Sequence, residues 1–260
     1  DLHLSLPTVT NTTRELLESG LLRDLGEMQS TGGRRARALC AASDYRFSIG
    51  LDITRNHLGI LLLNLTGDII KYERMQLGFS RSSAYFSEVC QKIDDFLLET
   101  EISGEQILGL GISLPGIVDP VQKMITYSHA LGVRDLLFSE IQSYFPWHCT
   151  FLNDANAGAF AEGIGSDLPS SFFYLSLSNT VGGAIFHDGN LLPGDAFRCG
   201  EAGHMTLIPD GNHVTAEKPA ASMPTVPPDS SRICPADGWK ISFSDFSRTT
   251  RTIVLSGTPI

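Results

Sequence analysis

In Leu152-Asn153-Asp154-Ala155-Asn156-Ala157-Gly158-Ala159-Phe160-Ala161-Glu162 a strand gives way to a helix. Residues 148–152 read as a short strand, and residues 155–161 are small side chains that suit a helix. Asn153 and Asp154 therefore stand at the carboxyl end of a strand, where ligands bind in open α/β sheets. Asp154 has two readings there. Its side chain can cap the helix, or it can direct a carboxylate at a ligand hydroxyl as a general base. The local sequence leaves both open.

The chain has 260 residues, 42% of them hydrophobic, enough for a buried core and for two domains of ordinary size. A net charge of −10 excludes a generally basic nucleic-acid binder but leaves room for a small local contact surface. That charge is uneven, because residues 1–43 carry five Arg against five acids and the rest carries the whole −10. The five Cys, at 40, 90, 149, 199 and 234, lack metal-ligand spacing, and an odd, dispersed set fits reduced thiols. There is no run of 18 apolar residues and no signal-peptide pattern. These features predict a cytoplasmic protein with no membrane span.

Near the start, Ser5 is a good helix cap and Pro7 is tolerated in a first turn. Leu6, Val9, Leu16, Leu17 and Leu21 predict a helix with one buried face, stopped at Gly20. Extended runs at 21–28 and 36–41 flank a turn at 29–35, so a helix followed by a hairpin tipped by Gly32 and Gly33 gives a winged-helix outline. Thr8, Thr10, Asn11 and Arg14 fall on the exposed helix face, where short polar side chains can reach base edges. Arg34, Arg35 and Arg37 cluster beside the wing, where they can meet phosphates or a minor groove. A surface helix with a charged hairpin fits the same residues. Three antiparallel strands are expected at 45–53, 57–65 and 68–77, and a helix at 82–99 with apolar Tyr85, Phe86, Val89, Ile93, Phe96 and Leu97. A strand follows at 107–114, a helix at 134–144, and further strands at 172–177 and 181–187. Glu201 and His204 pair a carboxylate with an imidazole three residues apart.

Six stretches in order resemble the ROK family (repressor, open reading frame, kinase), over roughly residues 4–213. They are Leu4–Thr10 with Ser30-Thr31-Gly32-Gly33-Arg34; Gly50-Leu51-Asp52; Leu114-Pro115-Gly116-Ile117-Val118-Asp119; Asn153-Asp154-Ala155-Asn156; and Gly200-Glu201-Ala202-Gly203-His204-Met205. The resemblance implies an α/β chain: a partial winged helix at 1–43, then an actin-like, ribonuclease-H-like two-lobed domain at 44–213 whose second lobe is incomplete. It implies a sugar in the cleft between the lobes, lined by Asn153, Asp154, Glu201 and His204. In the family's kinases the residue matching Asp154 is the base that deprotonates the attacking sugar hydroxyl. Two departures argue against a kinase here. The family's Asp-x-Gly-Gly-Thr turn is Asp52-Ile53-Thr54-Arg55-Asn56, and its Gly-Thr-Gly-x-Gly loop is Ser178-Asn179-Thr180-Val181-Gly182. Side chains at Thr54, Arg55, Ser178 and Thr180 replace the glycines that let backbone amides cradle phosphate. The implied function is a sugar-responsive repressor acting on operator DNA, with no cofactor in this chain. Paired winged helices against two half-sites imply a homo-oligomer. A sugar kinase using Asp154 is the alternative, and a non-functional product the third reading.

After His213 the character changes. Six of the 13 Pro and seven Ser fall in 214–260, and only the alternation over 241–246 has a strand period. The expectation is a disordered or out-of-frame tail. The resemblance places the family's three zinc-binding cysteines at Val214, Ala216 and Ala221, which leaves His204 as the sole surviving ligand of a structural Cys₃His zinc. One added T after the His213 codon forces Cys in place of Val214 and permits it at the other two. The resemblance also implies that helices are missing before Asp1.

Overall fold

The computed structural model describes residues 5–27, 37–165, 169–177, 181–204, 240–247 and 250–256 (of 165, 204 and the last two stretches, the backbone alone). The chain forms two compact units, residues 1–112 with 141–150, and residues 113–140 with 151–260.

In the first unit, helix α1 (Leu6–Glu18) is capped by Ser5, whose Oγ accepts the Thr8 amide at 3.4 Å, and Gly20 follows its end at φ +80°. Strands β1 (Leu22–Glu27) and β2 (Arg37–Ala41) pair antiparallel, as the winged-helix outline requires. One expectation for α1 fails. None of its residues is buried, and Leu6 is 79% exposed; of its apolar residues only Leu16 and Leu17 are half-covered. Residues 1–43 also share one unit with residues 44–112. The Ala42 amide bonds to the Leu21 carbonyl at 2.9 Å, the Leu65 amide to the Ser43 carbonyl at 2.9 Å, and Arg23 pairs with Asp44. The burial of Ala42 fixes the joint.

The strands β3 (Phe47–Ile53), β4 (His57–Asn64) and β5 (Ile69–Gln76) form the expected meander. Helix α2 (Ser83–Thr100) buries the six apolar residues anticipated for it, Tyr85, Phe86, Val89, Ile93, Phe96 and Leu97. Lys71 of β5 lies 4.5 Å from the Phe96 ring and bonds Glu99 at 2.5 Å, a polar link from strand to helix at the edge of this packing. With β6 (Ile107–Leu114) and β10 the sheet order is β10–β6–β3–β4–β5, where β10 is Cys149–Asn153.

The second unit contains the meander β7 (Ile117–Asp119), β8 (Met124–Ser128) and β9 (Val133–Leu137), then the short helix α3 (Phe138–Gln142), which runs on into the first unit. The single helix expected at 134–144 is therefore half strand. Leu136 pairs with Ile125 of β8, and both are fully buried; that non-local pairing outweighs the local helical period. After β10 comes α4 (Asp154–Gly165), and then the strands β11 (Phe172–Leu177), β12 (Val181–His187) and β13 (Asn190–Leu191). The strands β14 (Lys240–Ser247) and β15 (Thr250–Ser256) complete a sheet of order β13–β12–β11–β15–β14. In the described part of the tail, β14 and β15 form a hairpin. Residues 251–255 of β15 pair antiparallel with β11, from Leu177 opposite Arg251 to Phe173 opposite Leu255. Positions 214, 216 and 221 lie outside the described residues. No described helix is long and apolar enough to cross a membrane.

Four cysteines, Cys40, Cys90, Cys149 and Cys199, are free; burial pushes the Cys149 thiol up to about 11, which keeps it protonated near neutrality. The Tyr85 hydroxyl is buried with no hydrogen-bond partner, amid Phe79 and Phe86 rings. Removing a buried, unsatisfied hydroxyl relieves its desolvation cost. Tyr85→Phe is expected to raise unfolding free energy by about 1 kcal/mol, read as a higher urea midpoint at unchanged slope; a lower midpoint contradicts the assignment of an orphan hydroxyl.

Candidate functional site

The second unit gathers three of the quoted motifs, and close backbone approach explains their small residues. Helix α4 lies on one face of β11 and β12. A Cβ on Gly158 would come within 2.3 Å of the Tyr174 hydroxyl, and one on Gly163 within 2.5 Å of the Phe186 ring. The two aromatic side chains fill the places that side chains on the helix would need. Ala155, Ala159, Phe172, Tyr174, Ala184 and Phe186 form the buried cluster between helix and sheet, and Phe172 stacks on Phe186 at 4.9 Å between ring centroids. The helix thus settles close to the strands, with Ala155 in ordinary contact with the Cβ position of Gly182.

On the opposite face of β12 lies the turn that carries Glu201. Gly200 has φ +87°, and a Cβ there would sit 2.7 Å from the Ala184 Cα. A Cβ on Gly203 would sit 2.4 Å from the Val181 carbonyl, and one on Gly183 would sit 2.5 Å from the Gly200 carbonyl. Backbone therefore lies directly on backbone, which only glycine permits. Asp154 at the start of α4 and Glu201 on this turn are brought to the Val181–Gly183 end of one strand from its two faces. Glu201 is half-buried; His204 ends the turn, and its side chain lies outside the described residues.

Of the two residues at the head of α4, Asn153 is the cap. Its Oδ1 accepts the amides of Ala155 at 2.9 Å and Asn156 at 3.2 Å, while its Nδ2 donates to the Gly116 carbonyl at 2.9 Å. Asp154 occupies the first helical position, exposed, with Oδ1 accepting the Ala155 amide at 2.9 Å. A carboxylate here faces the positive end of the helix dipole. Gly116 is itself fixed. It has φ +133°, and a Cβ would meet Ser128 and the Tyr127 carbonyl at 2.7 Å. Asp119 closes the neighbouring turn, its buried Oδ1 accepting the amides of Val121 at 2.9 Å and Gln122 at 2.8 Å.

The turn expected to exclude phosphate closes on itself. The Thr54 amide and hydroxyl both donate to the His57 carbonyl at 3.0 Å, and the His57 amide donates back to Thr54 Oγ1 at 3.0 Å. The carbonyls of Arg55 and Asn56 accept the amides of Phe79 and Leu77. The second loop, with Ser178 and Thr180, lies outside the described residues, as do Gly32, Gly33, Arg34 and Arg35 of the wing. On α1, Thr8, Thr10, Asn11 and Arg14 are all exposed. The Thr8 and Ser5 hydroxyls meet at 2.7 Å, Thr10 donates to the Leu6 carbonyl at 2.9 Å, and Arg14 donates to Asn11 Oδ1 at 2.9 Å. As for the zinc that the resemblance implies, Val214, Ala216 and Ala221 have no ligand atoms, so the donor set does not fit it.

Residues 48–219 match the family model described as "ROK family". The chain belongs to the ROK family. The xylose repressor of Bacillus spizizenii is 29% identical over 207 residues, covering 78% of this chain and 54% of that protein. The xylose repressor of Caldicellulosiruptor bescii is 31% identical over 213 residues, 78% of this chain and 52% of that protein. The Escherichia coli regulator NagC is 26% identical over 212 residues, 80% and 52%. This chain spans about half the length of these curated relatives. A solved ROK family transcriptional regulator, described as a homolog of the E. coli MLC protein, superposes with TM-score 0.64 at 22% identity, over 84% of this chain and 56% of that one. A ROK hexokinase from Thermus thermophilus gives 0.54 at 21%, over 67% and 58%. The actin-like ROK fold is thus common to regulators and kinases, and the fold alone does not separate them.

The close seating of α4 makes a signed prediction for the ROK domain. Gly→Ala in a helix ordinarily gains about 1 kcal/mol. Gly163→Ala is expected instead to cost about 2 kcal/mol, because overpacking forces the Phe186 ring aside. Adding Phe186→Leu recovers part of the loss. A stabilised Gly163→Ala variant in urea denaturation would contradict the packing described.

Proposed function

We propose that this chain belongs to a sugar-responsive, DNA-binding transcriptional repressor and not to a sugar kinase. The observation that carries the reading is the Thr54–His57 turn. Kinase chemistry needs open backbone amides at that turn to cradle phosphate. Here the Thr54 and His57 amides are spent within the turn itself, and Thr54 and Arg55 hold side chains where phosphate would approach. The sugar-facing half of the family pattern persists. Asp154 supplies a carboxylate at a helix start, with Glu201 and His204 on the Gly200–Gly203 turn. Carboxylates so placed make paired hydrogen bonds to neighbouring sugar hydroxyls and discriminate against sugars lacking one.

The DNA-facing half rests on α1 and the β1–β2 hairpin, with Thr8, Thr10, Asn11 and Arg14 on the exposed helix face and Gly32, Gly33, Arg34 and Arg35 at the wing. Repression is then a coupling between sugar and operator binding in a cytoplasmic homo-oligomer. The names of the relatives point to D-xylose and N-acetylglucosamine as the first sugars to test. Calorimetric titration with each is expected to show saturable binding by one of them. Asp154→Asn weakens that binding by about 10- to 100-fold, the worth of a hydrogen bond to a charged group. Duplexes selected from a random library release or tighten on addition of the same sugar. With ATP and magnesium no sugar phosphate forms; ADP produced in step with sugar consumption would overturn the reading in favour of the kinase.

A further inference from the structure

A groove of about 550 Å³ opens where α2 ends. Leu97, Leu98 and Ile102 line it from the helix end and Trp147 from the segment ahead of β10, with Asp94 and Glu101 beside them. Its volume falls in the range of roughly 300–1,000 Å³ that binding clefts occupy. Leu97 is buried, but Leu98 is 76% exposed. Trp147 is held from two sides. Its Nε1 donates to the Gly104 carbonyl at 2.8 Å, and Gln142 Nε2 donates to its carbonyl at 2.7 Å. A Cβ on Gly104 would come within 3.3 Å of the ring. The apolar lining is thus already built in the chain by itself.

Asp94 and Glu101 do little for the fold. Both are exposed, and neither has an ion-pair partner among the described residues. Glu101 closes α2 in the left-handed region at φ +58°, where glycine sits without strain. Its carboxylate stands at the negative end of the helix dipole, and the last turn has no basic residue to offset it. The neighbouring Glu99, by contrast, is answered by Lys71. An uncompensated negative rim therefore borders an apolar lining. Its complement carries apolar and cationic side chains on one face, as an amphipathic helix does when it lies in a groove. A second copy of the chain is a poor complement, because it brings a net charge of −10.

We propose that this groove is a docking site for a partner protein, and that the docked segment is a cationic amphipathic helix. Its apolar stripe packs on Leu98, Ile102 and Trp147, and flanking Lys or Arg side chains pair with Asp94 and Glu101. This docking does not depend on the sugar and operator reading given above.

The full chain carrying Trp239→Phe keeps Trp147 as its only tryptophan and so reports on the groove. A helix-forming Leu/Lys peptide of about 15 residues is titrated against it, beside a Leu/Glu peptide of the same apolar spacing. The Leu/Lys peptide is expected to shift Trp147 emission saturably, and the Leu/Glu peptide to leave it unchanged. Asp94→Asn combined with Glu101→Gly weakens binding on the order of tenfold, the worth of two exposed ion pairs. The urea midpoint of the same variant rises, because glycine relieves the left-handed position. Leu98→Ala, at an exposed position, weakens binding severalfold through lost apolar contact. Asp195→Asn, an exposed charge in the other unit, leaves binding unchanged. No shift with the Leu/Lys peptide, equal binding of both peptides, or a loss in Asp195→Asn as large as in the groove variants overturns the proposal. If the chain alone self-associates and Leu98→Ala disperses it, the groove holds a second copy and the proposal fails.

Discussion

The candidate site depends on how closely α4 approaches the β11–β12 sheet. Gly158 and Gly163 leave places that the Tyr174 hydroxyl and the Phe186 ring occupy, so helix and strands interlock with little freedom to slide. That seating sets where the helix begins. Once its first turn is placed against Gly182, Asp154 is committed to the open end of the sheet, and the Gly200–Gly203 turn brings Glu201 to the same end from the other face. The polar groups proposed for ligand recognition are thus positioned by apolar contacts and by glycines.

Around this arrangement the chain consistently uses side chains to close its own turns. Asn153 caps α4, Asp119 closes the turn after β7, Thr54 closes the β3–β4 turn, and Ser82 caps α2. The Thr54 closure bears most on function, because a turn whose amides are engaged internally has fewer to offer a phosphate.

Much of this was legible in the sequence. The six apolar positions of α2 recur at helical spacing and all six are buried, and the bounds of β6, β11 and β12 follow from short apolar runs between turn residues. What escaped depended on partners distant in sequence. Residues 134–144 read as one helix because their spacing fits, yet Leu136 is held by Ile125 across a strand pair. Asp154 and Asn153 are both good caps, and only the tie to Gly116 decides between them. Gly158 and Gly163 look like weak points in a helix until Tyr174 and Phe186 are placed against them. On α1 the apolar period was read correctly, but its first turns gain no cover among the described residues.

The central claim is that Asn153, more than Asp154, holds the head of α4, and that the Asp154 carboxylate serves a ligand. Urea unfolding of Asn153→Ala and Asp154→Ala side by side tests it most directly. The account predicts a loss of about 2 kcal/mol for Asn153→Ala, a lost cap together with its bond to Gly116. It predicts less than about 1 kcal/mol for Asp154→Ala, the scale of a carboxylate at a helix N-terminus. An equal or larger loss for Asp154→Ala would show that this carboxylate is committed to the fold, and would contradict the account.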